Sequence, residues 1–277
     1  MNAQPGKSGR KAFVFAGGGT GGHIYPALAI IEQLRIINPD VAVHILCSER
    51  EIDAKILSKQ KIDYTPIAAK PVSKKPGGLI KFITSWGPSV RATRGCISKL
   101  KETNDSVVLV AMGGFVAAPA ARAGHAHKVP VVLVNLDAVP GKANVLIAKK
   151  VKEIYTAATI NGFDSWQRVR PIVRTQTMDS INAQDARTSF GLDANTNTLL
   201  ITGGSQGAAS ITSFVRTMLE QQPDAFAAWQ VIHQVGNKMS ENEIESLRSV
   251  YGNAKVSAWV EPFVDEMGIA LSAADLS

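Results

Sequence analysis

Aromatic side chains are scarce in this sequence, 6% of 277 residues, and cysteine is scarcer still: Cys47 and Cys96 stand alone, 49 positions apart. That count excludes a disulfide-stapled scaffold. Without a CxxC pair, neither cysteine reads as a metal or redox ligand, and both read as ordinary buried thiols. No apolar run reaches the roughly 20 residues that a membrane-spanning helix requires. The start, Met1 to Lys11, is polar and basic and leads into a short apolar run and glycines, unlike a secretory signal, so a cytoplasmic protein is expected. Acidic residues are missing from one long stretch. Lys70, Lys74, Lys75, Lys81, Arg91, Arg94, Lys99 and Lys101 follow one another with no Asp or Glu between them.

What is present is ordinary globular material, 45% apolar and 19% charged, in a length that suits two cores. The net charge of +7 is unevenly spread: residues 1–175 hold 25 Lys/Arg against 11 Asp/Glu, and residues 176–277 hold 5 against 12. In the acid-free stretch, Lys74, Lys75 and Lys81 are interleaved with Leu79, Ile80, Phe82, Ile83 and Trp86. Cations beside large apolar groups suit an anionic membrane surface, with Leu79, Phe82 and Trp86 as the contact residues. The alternative is a solvated loop followed by a helix whose apolar face is core. Nucleic acid is disfavoured, because no recognisable binding module is present and the other half is acidic.

Apolar β-type runs at 12–16, 41–46, 107–111, 130–134 and 153–157 alternate with helical patterns near 23–37, 50–59, 79–101, 116–127 and 141–150. This predicts a mostly parallel sheet with helices on both faces. The pattern loosens from Gly162 to Asp179, where the domains join. It resumes with a helix near 182–190, strands near 198–202, 229–233 and 255–258, and helices near 207–221, 241–251 and 263–273. A fourth strand would begin at Ala274–Ser277. The second domain therefore reads as an incomplete doubly wound unit, with strand edges expected to be exposed.

Two glycine-rich turns, Gly17-Gly18-Gly19-Thr20-Gly21-Gly22 and Gly203-Gly204-Ser205-Gln206-Gly207, each link a strand to a helix. Glycine lets backbone N–H groups approach an anion, and the helix N-terminus behind adds partial positive charge, so a phosphate-bearing ligand is expected. The first turn satisfies GxGxxG, the dinucleotide pattern, but Glu49 and Glu51 lie late for the acid that grips a ribose. His23 follows directly. At the helix start it would be a neutral base beside the anion, or else an ordinary capping histidine.

The strings from Gly18 to Ala29, Met112-Gly113-Gly114-Phe115, Gly203 to Ala208, His233-Gln234-Val235-Gly236 and Phe263 to Met267 together resemble the MurG family. This family comprises the glycosyltransferases that add N-acetylglucosamine to undecaprenyl-diphosphate-linked muramoyl-pentapeptide in peptidoglycan synthesis. The resemblance implies an α/β, GT-B fold of two Rossmann-like domains. The first, 1–175, would take the lipid acceptor on the cytoplasmic membrane face, and the second, 176–277, would take UDP-N-acetylglucosamine, a substrate rather than a cofactor. It implies inverting transfer with His23 as base and no catalytic metal. Thr20, Gly21, Gly22, Asp137, Arg174, Ser205, Gln206 and Val264 would touch the donor. Gly18, Gly19, Gly113, Gly114 and Asn144 would line the acceptor diphosphate.

Three departures stand out. Val134-Asn135-Leu136-Asp137 replaces the usual His-Glu-Gln-Asn, Phe115 replaces Tyr, and Pro171-Ile172-Val173-Arg174 stands for Asn-Pro-Val-Arg. The sequence also stops before the family's serine- and glycine-rich donor turn. Two other readings stay open: a different nucleotide-sugar or NAD-dependent enzyme, and a non-catalytic relative that holds polyprenyl diphosphate or membrane.

Overall fold

The structure, a computed structural model, describes residues 9–72, 75–175, 181–204 and 207–277. It divides into two compact units, Met1–Arg174 and Thr175–Ser277.

The first unit is built on seven strands: β1 (Lys11–Ala16), β2 (Ala42–Ser48), β3 (Tyr64–Ile67), β4 (Ser106–Ala111), β5 (Val131–Asn135), β6 (Glu153–Thr156) and β7 (Gln167–Arg168). They lie in the order β3-β2-β1-β4-β5-β6-β7, and every pair is parallel. The helices are α1 (Gly21–Ile37), α2 (Glu51–Ser58), α3 (Pro76–Thr103), α4 (Gly114–Ala126) and α5 (Lys142–Ala148). Central strands buried on both faces need continuous apolar sequence, which Ala12-Phe13-Val14-Phe15 and Val107-Val108-Leu109-Val110 supply. Alternation then sorts them. Ala12, Val14, Ala16, Leu109 and Ala111 face a core shared with Val116, Ala117 and Ala120 of α4, whereas Phe15, Val110 and Met112 face one shared with Ile24, Leu28 and Ile31 of α1.

On that second face the side chains of β4 and β5 are only partly covered. Val108, Val110, Val132, Val134, Tyr155 and Ile172 line an open, wholly apolar groove of about 360 Å³, walled on one side by Ile30 and Leu34 of α1.

The strand order reverses direction between β1 and β4: β2 and β3 extend the sheet to one side, β5 to β7 to the other. In such sheets the carboxyl ends of the two strands at the reversal flank a crevice into which the following loops and helix N-termini point.

The second unit has β8 (Asn197–Thr202), β9 (Trp229–Gln234) and β10 (Ala258–Glu261), parallel and ordered β10-β9-β8. Its helices are α6 (Ala183–Ser189), α7 (Ala209–Gln221), α8 (Glu241–Asn253) and α9 (Met267–Ala273). The outer edge of β8, expected to be bare, is partly met. Leu276 bridges Leu199, Leu200 N–H donates to the Leu276 carbonyl (2.8 Å), and Asp275 accepts from Thr198 N–H (2.7 Å) and from the buried Arg187 guanidinium (2.8 Å).

Several boundaries differ from the sequence reading. The third strand of this unit begins at Ala258 rather than 255 because α8 closes with Lys255 at φ +57° and Val256 N–H returning to the Tyr251 carbonyl (3.0 Å). Helix α9 starts at Met267, not 263, because Val264 N–H is taken by Gln234 (2.9 Å). Helix α3 starts three residues early, with Pro76 in its first turn. Strands β3 and β7, absent from the sequence reading, are four and two residues long.

Candidate functional site

The first glycine turn leaves β1 at Ala16 and is tied down by a side chain that the sequence reading did not single out. Asp53, fully buried on α2, accepts from Gly19 N–H (2.8 and 3.0 Å), Ser48 N–H (2.9 Å) and the Ser48 hydroxyl (2.7 Å). A Cβ at Gly18 would collide with this carboxylate, so the glycine is required by the close approach. Gly19 adopts φ +88°, and a Cβ there would sit 2.6 Å from the Phe115 ring. Arg50 completes the turn: its guanidinium donates to the Gly19 carbonyl (2.6 Å) and lies 5.3 Å from the centroid of the Phe115 ring. Glu49, one of the two acids weighed from sequence, is an exposed partner of Lys70 (2.7 Å).

The second turn leaves β4 at Met112, whose N–H donates to the Ala16 carbonyl (2.9 Å), so the two loops are joined at their roots. Gly113 (φ +100°) and Gly114 (φ +71°) then start α4. A side chain at Gly113 would lie 3.1 Å from Asn144 Oδ1 and 3.2 Å from the His23 ring, and one at Gly114 would lie 3.3 Å from that ring. His23, Gly113, Gly114 and Asn144, four expected site residues from three elements, therefore meet.

His23 stands in the first turn of α1, three residues after Thr20, the N-cap residue, whose side chain makes no capping bond. Burial lowers the His23 pKa below the usual imidazole value, while the negative charges of Asp137 and Asp53 work against that shift, and the ring is neutral at pH 7. Its Nδ1 is buried and has no hydrogen-bond partner among the described residues, and the same holds for Asn144 Oδ1. The Asn144 amide has one consistent orientation. Asn135 donates through Nδ2 to the Asp137 carbonyl (2.7 Å) and to Thr156 Oγ1 (3.3 Å), so its Oδ1 must accept, and it accepts from Asn144 Nδ2 (2.8 Å). The Asn144 amide borders Gly113, its Oδ1 and Nδ2 3.1 and 3.2 Å from where a Cβ on that glycine would stand. Gly21 is buried and Gly22 exposed at the same helix start, and the Asp137 side chain is exposed.

The remaining candidates are dispersed. Arg174 belongs to the first unit, where it donates to Glu32 on α1 (2.7 Å) and to Gln60 after α2 (3.2 Å). Val264 is buried, in the second unit. Beside it, Gln234 at the end of β9 ties Thr202 to the Val264 loop. In the glycine turn of this unit, Gly204 and Gly207 take φ +73° and +71°, while Ser205 and Gln206 lie outside the described residues. His233 is fully buried, with Nδ1 3.0 Å from the Tyr251 hydroxyl, and burial holds its pKa down at about 4.

Helix α3 is 28 residues long, about 42 Å, roughly twice the length of the six-residue β4 it packs beside. It leads from the carboxyl edge of the sheet back to the start of β4, so its first turns stand at the edge where the glycine loops open. Those turns are inside out. Ser85, Ser89 and Thr93 are buried, with hydroxyls satisfied by carbonyls one turn back (2.9, 2.7 and 2.9 Å), while Leu79, Ile80 and Ile83 are 46, 62 and 62% exposed beside Lys75 and Lys81. Phe82 and Trp86 are half-buried against each other, ring centroids 5.7 Å apart, so the exposed apolar surface is aliphatic; Lys74 lies outside the described residues. Among the described residues no helix is long and apolar enough to cross a membrane.

Residues 13–156 match the glycosyltransferase family 28 N-terminal domain and residues 198–277 the glycosyltransferase family 28 C-terminal domain. A relative from Thermobifida fusca, a UDP-N-acetylglucosamine--N-acetylmuramyl-(pentapeptide) pyrophosphoryl-undecaprenol N-acetylglucosamine transferase, is 32% identical over 276 residues, covering 95% of this chain and 68% of its own length. The transferase of the same name from Streptomyces collinus is 33% identical over 274 residues, covering 95% and 71%. The chain belongs to the MurG family. The fold agrees: the crystal structure of Acinetobacter baumannii MurG matches with a TM-score of 0.58 at 24% identity, covering 96% of this chain and 70% of that one. A UDP-GlcNAc 2-epimerase from Neisseria meningitidis shares the GT-B architecture, with a TM-score of 0.55 at 14% identity. At the end of β5 stands the neutral, hydrogen-bonded Asn135, and an acid, Asp137, stands two residues later.

Proposed function

We propose that this chain moves N-acetylglucosamine from UDP-N-acetylglucosamine to the C4 hydroxyl of undecaprenyl-diphosphate-linked muramoyl-pentapeptide, with inversion at the anomeric carbon. The observation that carries the reading is the His23 imidazole, neutral, with an unpartnered Nδ1, set between two glycine turns at the point where the strand order reverses. His23 Nδ1 takes the C4 hydroxyl proton as that oxygen bonds to the anomeric carbon. The bond from that carbon to the UDP oxygen breaks with its electron pair on UDP, and the imidazolium formed is stabilised by Asp137 and Asp53 before it returns the proton to water. Asn144 Oδ1 orients the acceptor, Gly18, Gly19, Gly113 and Gly114 let its diphosphate approach backbone amides, and Thr20, Gly21, Gly22, Asp137, Arg174, Ser205, Gln206 and Val264 serve the donor. In this reading Met1–Arg174 takes the acceptor, and Thr175–Ser277 takes most of the UDP-sugar.

The protein works as a peripheral protein on the cytoplasmic face of the cell membrane. Leu79, Ile80 and Ile83 enter the lipid boundary, Phe82 and Trp86 support them from behind, and Lys74, Lys75 and Lys81 meet anionic headgroups. The test is incubation with UDP-N-acetylglucosamine and a short-chain lipid-linked muramoyl-pentapeptide, followed by mass spectrometry for one added N-acetylhexosamine. The product is expected, and folded protein that yields none overturns the reading. His23→Ala should lower kcat by about 10²–10⁴-fold while leaving UDP-N-acetylglucosamine affinity within about twofold; an equal loss of both makes His23 a structural residue.

A further inference from the structure

The crevice holds a cation that neither the sequence motifs nor the transfer step uses. Arg50 caps the start of α2, and its guanidinium is held at two points: Nη1 donates to the Gly19 carbonyl (2.6 Å) and the group lies over the Phe115 ring at 5.3 Å. The acids around it are engaged elsewhere. Glu49 pairs with Lys70, and Asp53 accepts from Gly19 and Ser48, so Arg50 has no carboxylate partner among the described residues. It is nonetheless exposed, with its other N–H donors at the lip of the glycine loop. Phe115 is the second residue of α4, so the guanidinium stands over the first turn of one helix and beside the start of α1, where the partial charges are already positive. Across the loops, Asn144 and the His23 ring crowd Gly113 and Gly114, and Asn144 Oδ1 and His23 Nδ1 are buried without a hydrogen-bond partner among the described residues.

We propose that Arg50 is the preset cation that receives the diphosphate of the lipid-linked acceptor. This rests on the transferase reading above. Backbone amides and helix ends answer a diphosphate with partial charges only, whereas a guanidinium brings a full charge and a planar pair of donors that match two phosphate oxygens. Because the Gly19 carbonyl and the Phe115 ring already immobilise it, little side-chain freedom is lost on binding. The acceptor rather than the donor is assigned because Arg50, Gly19 and Phe115 stand at the same sheet edge as the exposed Ile80 and Ile83 and the cations Lys75 and Lys81.

The experiment compares wild type, R50M, R50K and Phe115→Leu by isothermal titration with farnesyl diphosphate, farnesyl monophosphate and UDP, and by steady-state kinetics in both substrates. R50M should weaken farnesyl diphosphate and raise the acceptor KM by about tenfold or more, as loss of a charge-assisted pair does. UDP affinity should stay unchanged. R50K should recover part of the loss, and Phe115→Leu should reproduce a smaller loss even if R50M folds poorly. Farnesyl diphosphate bound by R50M within twofold of wild type overturns the proposal, as does an equal loss for UDP. Wild type that binds farnesyl diphosphate but transfers no sugar overturns the transferase reading, and the titrations still decide Arg50. Wild type that does not bind it overturns Arg50's role.

Discussion

A neutral histidine is a useful base only over the pH range in which it stays neutral, and the surroundings of His23 set that range. Burial lowers its pKa, and Asp137, the first of two opposing carboxylates, raises it. The acid limb of kcat should therefore fall below pH 6.5, the ordinary imidazole value, because activity disappears as the pH drops through the pKa of the base. Asp137→Asn removes the larger opposing charge and should move that limb lower still, whatever it does to the height of the plateau; a limb that moves upward or stays put rules out this electrostatic role. At this scale the sequence was half legible. His23 stood out by following a glycine turn, Gly113 and Asn144 were singled out by the family resemblance, and the structure brings the three together. Asp53 did not stand out, because its role depends on α2 folding back over Gly19, and the acids weighed after the second strand were Glu49 and Glu51, both late for a ribose partner. The Asn135–Asn144 pair was equally hidden, since nothing local to either residue says that one amide orients the other.

Helices and strands were more readable than their faces. Apolar runs of β-type length located β1, β2, β4, β5 and β6 to within a residue or two, since a strand buried on both sides has no polar positions to blur it. Boundaries slipped where one backbone event decided them, as at Lys255 in the left-handed region after α8. In α3 the surprise is which side chains turn inward: large Phe82 and Trp86 suggested surface contact, yet the inward stripe is Ser85, Ser89 and Thr93, small enough for close packing and with their hydroxyls consumed by the helix itself. The exposed aliphatic turn is thus free to meet lipid. Ile80→Ser with Ile83→Ser should weaken binding to anionic vesicles at least about tenfold, given about 1.5–3 kcal/mol for each fully buried isoleucine. Folding stability should change by less than about 0.5 kcal/mol, as for other surface changes. Unchanged vesicle binding, measured by co-sedimentation at low salt, would assign membrane contact to another surface.

Across the whole molecule, the charge asymmetry of the sequence divides where the two units divide, and the second unit holds a buried histidine that makes it acid-sensitive. His233 is buried and neutral, its pKa held at about 4, whereas the unfolded imidazole titrates near 6.5. Above pH 6.5 neither state binds the proton and His233 costs nothing. As the pH falls from 6.5 toward 4, the unfolded chain gains a proton that the folded unit refuses, and about 3 kcal/mol of stability is lost. His233→Gln should flatten that slope in melts followed by circular dichroism between pH 4 and 7; an unaltered slope would assign acid sensitivity to other groups.

The apolar groove over β4 and β5 has a practical consequence for all such melts. Environment-sensitive dyes that brighten in oily surroundings report unfolding only when the native protein is dark to them. A folded molecule with an open, wholly apolar groove of about 360 Å³ offers such a dye a berth before heating begins. Fluorescence should be high at the outset and decline as the sheet comes apart, an inverted trace that resembles a molten protein and reflects an intact one.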